Sequence, residues 1–192
     1  MGDIREDEPW IDGGWGYFVR LLKWCREENI QVWPDIHTAP GSQNGLDSSG
    51  KVLPSPTCSH WSNNTEHVER SLKVVQDLTT AIDTMGLVDV ISGIGVLNDP
   101  FLDCDKHVIE TFYDRSLQIV RRNLGENTAV FIGDLFNATQ WNNGWWTDRN
   151  KYKNTYLDSH YFHGKIFLSF CKQIFYRLSY IYIYIYIYTE ME

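Results

Sequence analysis

The sequence has no excess of basic residues, the electrostatic footprint of nucleic-acid-binding proteins. Its 192 residues include 17 lysines and arginines against 25 aspartates and glutamates, which gives a net charge of −8. A partner with a phosphate backbone is therefore not expected. Charged residues make up 22% of the chain and apolar residues 43%, a balance typical of a globular domain with a hydrophobic core.

Signals for secretion, membrane insertion and nucleotide binding are also missing from the sequence. The first eight residues, MGDIREDE, are acidic and contain no apolar signal-peptide core. No apolar run is long enough for a membrane-spanning helix, so no membrane span is expected. No glycine-rich phosphate loop follows a predicted strand, which weighs against a nucleotide-binding sheet.

The four cysteines have no metal-ligand spacing and form no C-x-x-C pair, so we expect no metal site. They are either free buried thiols or members of one or two disulfides. Cys58 and Cys104 both lie in predicted loops and are a candidate pair. Two N-glycosylation sequons, at Asn63 and Asn137, lend weak support to secretion.

Aromatic residues are abundant, with eight tryptophans, eleven tyrosines and nine phenylalanines. Such side chains either fill a core or stack on sugar rings, whose C–H faces are apolar. Several tryptophans lie in polar loops, which keeps the second explanation open. Trp61 and Trp141 are candidates for stacking on a glycan, and core or loop packing fits them equally well.

Apolar periodicity predicts helices that alternate with short strands. Three segments have apolar residues at spacings of three and four and are predicted helices: 12–28, 66–85 and 105–123. Four short apolar runs are predicted strands: 30–36, 90–97, 129–132 and 154–159. Strands that alternate with long helices imply parallel strands joined by right-handed crossovers, as in an open doubly wound sheet or a (β/α)8 barrel.

Polar or ionisable residues stand at the carboxyl ends of these predicted strands: His37, Asn98, Asp99, Asp134 and His160. Active sites of (β/α)8 barrels lie at that end of the strands. The recurrence of such residues at successive strand ends therefore favours the barrel. Each residue also has a structural explanation. His37 also fits the role of a buried histidine that hydrogen-bonds to the backbone. Asn98 and Asp99 also fit the role of a cap between a strand and the helix that follows it. Asp134 fits a capping role as well as a site role, and we leave it outside the predicted site.

The C-terminal tail differs from the rest of the chain. Residues 180–188 read YIYIYIYIY, an uncharged and aggregation-prone alternation. A TA dinucleotide repeat would be translated in the same way, and Gly164-Lys165 matches a splice-donor-like codon pair. We therefore predict a domain over residues 1–163 and a low-complexity tail over 164–192, the latter an artefact of intron read-through or of the gene's predicted end.

Three motifs carry a family resemblance. Residues 35–45 read DIHTAPGSQNG, residues 95–100 read GVLNDP and residues 157–162 read LDSHYF. Together they resemble glycoside hydrolase family 5, and within it the fungal-type exo-β-1,3-glucanases, whose motifs read DLHGAPGSQNG, NEP and DTHHY. Order and spacing agree over about residues 9–163. The resemblance implies a partial (β/α)8 barrel with roughly strands three to six.

The resemblance further implies a retaining glycosidase that hydrolyses O-glycosyl bonds in β-1,3-glucans without a cofactor. Such an enzyme uses two carboxyl groups about 5–5.5 Å apart. Asp99 takes the acid/base position, and Asn98 the position that holds the sugar 2-hydroxyl. His37 and His160 line the subsite for the terminal sugar, with Phe162 beside them. A β-glucan oligosaccharide is the implied ligand, the implied location is extracellular or cell-wall associated, and the oligomeric state stays open.

The sequence departs from the family's motifs in three ways that bear on activity. Asp99 stands where the family has glutamate, and a misplacement of about 1 Å in a reacting group can cost on the order of a hundredfold in rate. Phe162 replaces a tyrosine. No glutamate after His160 stands in a context that matches the family's nucleophile, because Glu190 and Glu192 lie in the tail. The alternatives to an active glycosidase are a non-catalytic carbohydrate-binding remnant and a fragment without function.

Overall fold

The computed structural model describes residues 13–141, 148 and 150–160. Its helices are α1 (Trp15–Glu27), α2 (Ser59–Ser62), α3 (Thr65–Thr84) and α4 (Lys106–Leu124). Its strands are β1 (Gly93–Gly95), β2 (Ala129–Gly133) and β3 (Thr155–Asp158). The division at residue 163, the tail after it and Phe162 all lie outside the described residues.

The three strands form one parallel sheet in the order β1-β2-β3. The prediction of an α/β fold with parallel strands is thus confirmed. Segment 30–36 is not a regular strand. It joins β1 and the residues before it through two isolated parallel bridges, Val32 with Ile91 and Asp35 with Gly95. Pro34, between them, has no N–H to donate, so the ladder cannot run continuously through this segment.

The three long helices lie within a few residues of their predicted bounds, and two of them begin at side-chain caps that the sequence encodes locally. The Asn64 side chain accepts hydrogen bonds from the backbone N–H groups of Glu66 and His67 at the start of α3. Asp105 accepts one from Val108 at the start of α4, at 3.0 Å. The predicted strand over 90–97 is shorter than expected, because residues 88–90 form a 3₁₀ turn.

The core lies where the apolar faces of the helices meet the sheet. Helices α3 and α4 pack on each other, and α4 packs on β2. The fully buried residues of this core include Leu22, Val75, Ile82, Ile94, Ile109 and Val130. Because the strands are parallel, their carboxyl ends lie along one edge of the sheet. The residues that follow those ends are therefore brought together.

A disulfide joins Cys58 to Cys104, with 4.8 Å between their Cα atoms. The candidate pair is therefore bonded, and Cys25 is a buried free thiol. Asp103 supports the same junction, since its carboxylate accepts hydrogen bonds from the Cys58 N–H and the Thr57 hydroxyl, each at 2.6 Å. A cross-link over 46 residues typically stabilises a fold by about 2–4 kcal/mol.

Within the part of the chain that the structure describes, no helix combines the length and the apolar character needed to cross a bilayer.

Candidate active site

Asp99 occupies the turn that follows β1. Its backbone has a φ of +43°, in the left-handed region that few residues other than glycine adopt and that aspartate and asparagine tolerate best. Its carboxylate is mostly buried, with 13% of the side chain exposed. Asp99 Oδ1 lies 2.7 Å from Nδ1 of His160. The structure thus brings together two residues that the sequence placed at the ends of separate strands.

His160 bridges two carboxylates at the end of β3. Its Nδ1 contacts Asp99 and its Nε2 lies 3.2 Å from Oδ2 of Asp158. The hydrogen bonds to Asp158 and Asp99 raise the pKa of His160 to about 10, against the opposing effect of burial. Folding therefore favours the protonated form of His160, whose ring lies between the carboxyl groups of Asp99 and Asp158.

This raised pKa predicts a pH dependence of stability. The folded-state pKa of about 10 lies above the ordinary value of 6.5, so folding favours the protonated imidazole. The stabilisation is complete below about pH 6.5 and is lost as the pH rises through about 10. We expect the difference in free energy of unfolding between the wild type and His160→Gln to shrink steadily between pH 6.5 and 10.5 in urea denaturation. A difference that stays constant over this range would contradict the bridging geometry.

His37 forms a second pair of the same kind. Its Nδ1 lies 2.8 Å from Oδ2 of Asp35, and its Nε2 lies 3.4 Å from Nδ2 of Asn98. Burial raises the pKa of Asp35, the hydrogen bond from His37 acts in the opposite direction, and Asp158 adds a smaller rise. The predicted residues His37, Asn98, Asp99 and His160 therefore form one connected group.

The sequence analysis missed Asp35 and Asp158 as members of this group. A signal was present, because both stand two residues before a histidine, in DIH and DSH. Residues at i and i+2 of an extended segment point to the same face. An aspartate at that spacing can therefore orient the imidazole, as both do here.

Asp134 also belongs to this edge of the sheet, although the sequence analysis left it out. It is buried, and burial raises its pKa, whereas hydrogen bonds from the Ser159 side chain and the Phe136 N–H lower it. The negative charge of Asp99 adds to the rise. Asp134 thus does cap the turn after β2, with Phe136 N–H at 2.7 Å, and it also adds a carboxyl group to the electrostatics of the site.

The two tryptophans predicted to stack on sugar are core residues, which corrects that expectation. Trp61 has no exposed surface, donates to Ser71 Oγ at 2.9 Å and packs edge-on against Phe112. Trp141 is 1% exposed and donates to the Asp134 carbonyl at 2.8 Å. Neither indole presents a face to a ligand, so we remove both from the site. The predicted Phe162 lies outside the described residues.

The arrangement offers groups that bind hydroxyls and exchange protons. An amide, two imidazoles and four carboxyl groups converge at the strand ends, and such groups recognise polyhydroxylated ligands by hydrogen bonds. Among the described residues, no cluster of three or more histidine, cysteine or acidic side chains is arranged to hold a metal ion.

Comparison with known proteins shows which proteins the chain is similar to. A scan against models of protein families matches none. The chain is 37% identical over 136 residues to a glucan 1,3-β-glucosidase of Pichia angusta, which covers 69% of the chain and 29% of that relative. It is 34% identical over 163 residues to the glucan 1,3-β-glucosidase of Schwanniomyces occidentalis, covering 83% of the chain and 36% of the relative.

The chain is a relative of the fungal glucan 1,3-β-glucosidases. The resemblance to exo-β-1,3-glucanases of glycoside hydrolase family 5, inferred from the three motifs, is confirmed by these matches. The chain spans about a third of the length of these curated relatives, 29% to 36%. Among solved structures it is similar to endo-glycoceramidase II from Rhodococcus sp., at 13% identity and a TM-score of 0.46 over 67% of the chain and 38% of that protein.

Proposed function

We propose that this glucan 1,3-β-glucosidase relative binds β-1,3-glucan at the strand ends and acts on its O-glycosyl bonds. One observation carries the proposal. The Asn98–Asp99 pair lies at the carboxyl end of β1, with His37 on one side and His160 on the other, connected by the contacts described above. The amide and the two imidazoles can hydrogen-bond to sugar hydroxyls, and the carboxyl group can exchange a proton with the glycosidic oxygen.

Each residue has a distinct role in the proposed reaction. The Asn98 amide donates to a sugar hydroxyl, and His37 Nε2, beside it, contacts the same ring. Asp99 gives a proton to the leaving glycosidic oxygen and takes one back from water. Its Oδ1 is held by His160 at 2.7 Å, which leaves Oδ2 for the proton transfer. Asp35 and Asp158 orient the two imidazoles and do not touch the sugar.

The proposed architecture is an arc of a (β/α)8 barrel, comprising segment 30–36 and strands β1 to β3 as the third to sixth barrel strands. Its support is the parallel order, the intervening helices and the clustering of polar groups at the carboxyl ends. A retaining mechanism needs a second carboxyl group. The sequence holds no glutamate in a context that matches the family's nucleophile, so the residues assigned here supply the acid/base group alone.

Hydrolysis and binding of laminarin, a soluble β-1,3-glucan, test the proposal in one preparation. We expect saturable binding by calorimetry and release of glucose. Cooperatively folded protein that neither binds nor cleaves laminarin would overturn the proposed function. Binding without any glucose release would establish the second candidate instead.

That second candidate is a non-catalytic carbohydrate-binding module. The observation in its favour is the aspartate at position 99, because a shortened side chain matters for proton transfer and matters little for binding. His37 and Asn98 would keep their roles unchanged. We also propose an extracellular or cell-wall location, supported by the Cys58–Cys104 disulfide, since such bonds persist in oxidising compartments.

A further inference from the structure

The turn that contains Asn98 and Asp99 is hydrogen-bonded to the loop that begins at His37 and to the residue before it. The Asn98 N–H donates to the Ile36 carbonyl at 3.0 Å, and the Phe101 N–H donates to the Gln43 carbonyl at 3.0 Å. These backbone bonds fix the two ends of the turn. They leave the carbonyls of Asn98 and Asp99, between those ends, to be satisfied by other groups.

Gln43 satisfies the first of these carbonyls. Its side chain has no exposed surface. Nε2 donates to the carbonyls of His37 and Asn98, each at 2.9 Å, and Oε1 accepts from the Ala39 N–H at 3.0 Å. One buried amide thereby links the residue that follows segment 30–36 to the turn that follows β1, across 55 residues of sequence.

Asn44 satisfies the second of these carbonyls, that of Asp99. It is also fully buried; its Nδ2 donates to the Asp99 carbonyl at 3.0 Å and its Oδ1 accepts from the Leu46 N–H at 2.8 Å. Asp99 is the residue with a φ of +43°. A non-glycine residue in this region is strained and persists only where neighbouring groups hold it. Asn44 is a group that holds it.

We propose that Gln43 and Asn44 are positioning residues, which fix the peptide groups of Asn98 and Asp99 and thereby aim the Asp99 carboxyl group at His160 and the substrate. The catalytic part of this inference rests on the proposed function. The geometric part stands on the contacts alone. The loop from 37 to 50 is then more than a wall of a sugar subsite, because two of its side chains hold the acid/base residue in place.

The test replaces Asn44 by aspartate and follows the pKa of His160 by NMR of its ring signals in the full chain. Asn44→Asp keeps the oxygen that accepts from Leu46 and removes the donor to the Asp99 carbonyl. We expect the pKa of His160 to fall by about one unit or more toward its ordinary value, because the displaced Asp99 no longer pairs with it. The added negative charge by itself would raise that pKa, so a fall cannot come from the charge.

Asn64→Asp is the matched control. The Asn64 oxygen caps α3 by accepting from Glu66 and His67, and its Nδ2 makes only a 3.4 Å approach to the His67 ring. Aspartate caps a helix equally well, so the pKa of His160 should not move. A pKa of His160 that is equal in wild type, Asn44→Asp and Asn64→Asp would overturn the inference.

A measurement on the wild type keeps the inference testable if Asn44→Asp does not fold. We expect the side-chain amide protons of Gln43 and Asn44 to exchange with solvent at least tenfold more slowly than those of the exposed Asn63. Exchange of the Asn44 amide as fast as that of Asn63 would overturn the inference. Neither readout depends on glucan hydrolysis. If the wild type leaves laminarin intact and Asn44→Asp lowers the pKa of His160, the proposed function is refuted and the positioning role is retained.

Discussion

Replacing Asp99 by asparagine is expected to lower the release of glucose from laminarin by at least about a hundredfold. Removal of a general acid/base typically costs a factor of 10² to 10⁴. Asparagine has nearly the same shape and cannot supply the proton. Laminarin binding should change much less, because Asn98 and His37 remain in place. The rate and the dissociation constant are measured on the same preparation.

Asp83→Asn serves as the matched control for this prediction. Asp83 is exposed on α3, and its replacement removes a carboxyl group at a position outside the candidate site. It should leave both rate and binding unaltered. An Asp99→Asn variant that hydrolyses laminarin at the wild-type rate would show that Asp99 is not the proton donor.

Asp99→Glu tests the length of the side chain at the same position. Glutamate restores the methylene found in the family, and a correction of about 1 Å can be worth on the order of a hundredfold in rate. We expect Asp99→Glu to hydrolyse laminarin faster than the wild type. A slower variant would mean that the surrounding site, including the contact with His160, fits aspartate.

Replacing Trp61 by alanine is expected to lower the free energy of unfolding by about 3–5 kcal/mol, the usual cost of deleting a fully buried indole. The change empties space beside Phe112 and leaves Ser71 without the indole N–H. Chemical denaturation measures the loss. Laminarin affinity per folded molecule should be the same as in the wild type, because the indole does not reach the ligand.

Trp24→Ala is the matched control for Trp61→Ala. Trp24 is 55% exposed on α1, and its ring contacts the guanidinium of Arg20. The same chemical change there should cost about 1 kcal/mol or less. A Trp61→Ala variant that keeps wild-type stability and loses laminarin affinity would restore the stacking role that the structure removes.

The helices could be predicted closely because their signals are local. Apolar spacing defines their faces, and Asn64 and Asp105 mark the starts of α3 and α4. The strands were harder to predict than the helices, because an apolar run does not reveal which backbone groups it pairs with. Pro34 interrupts one predicted strand, and the 3₁₀ turn over 88–90 shortens another. Pro34 acts through its own missing N–H, and hydrogen bonds between residues three apart close the 3₁₀ turn, features that the apolar pattern alone does not show.

The candidate site could be predicted only in part, for a related reason. Motifs named His37, Asn98, Asp99 and His160, because these residue types stand at strand ends. Motifs could not show which groups hold them. Gln43 and Asn44 bond to carbonyls 55 residues away, and no local period encodes that pairing. The tryptophans were misjudged because composition does not separate a buried ring in a polar segment from an exposed one.

The most direct test of the account is whether a β-1,3-glucan reaches His37 and His160. Laminari-oligosaccharide is titrated into protein with labelled histidines, and the ring signals are followed by NMR. The account predicts saturable shifts of His37 and His160, with the exposed His107 unchanged. Saturable binding that leaves His37 and His160 unshifted, or no binding by the folded chain, would contradict it.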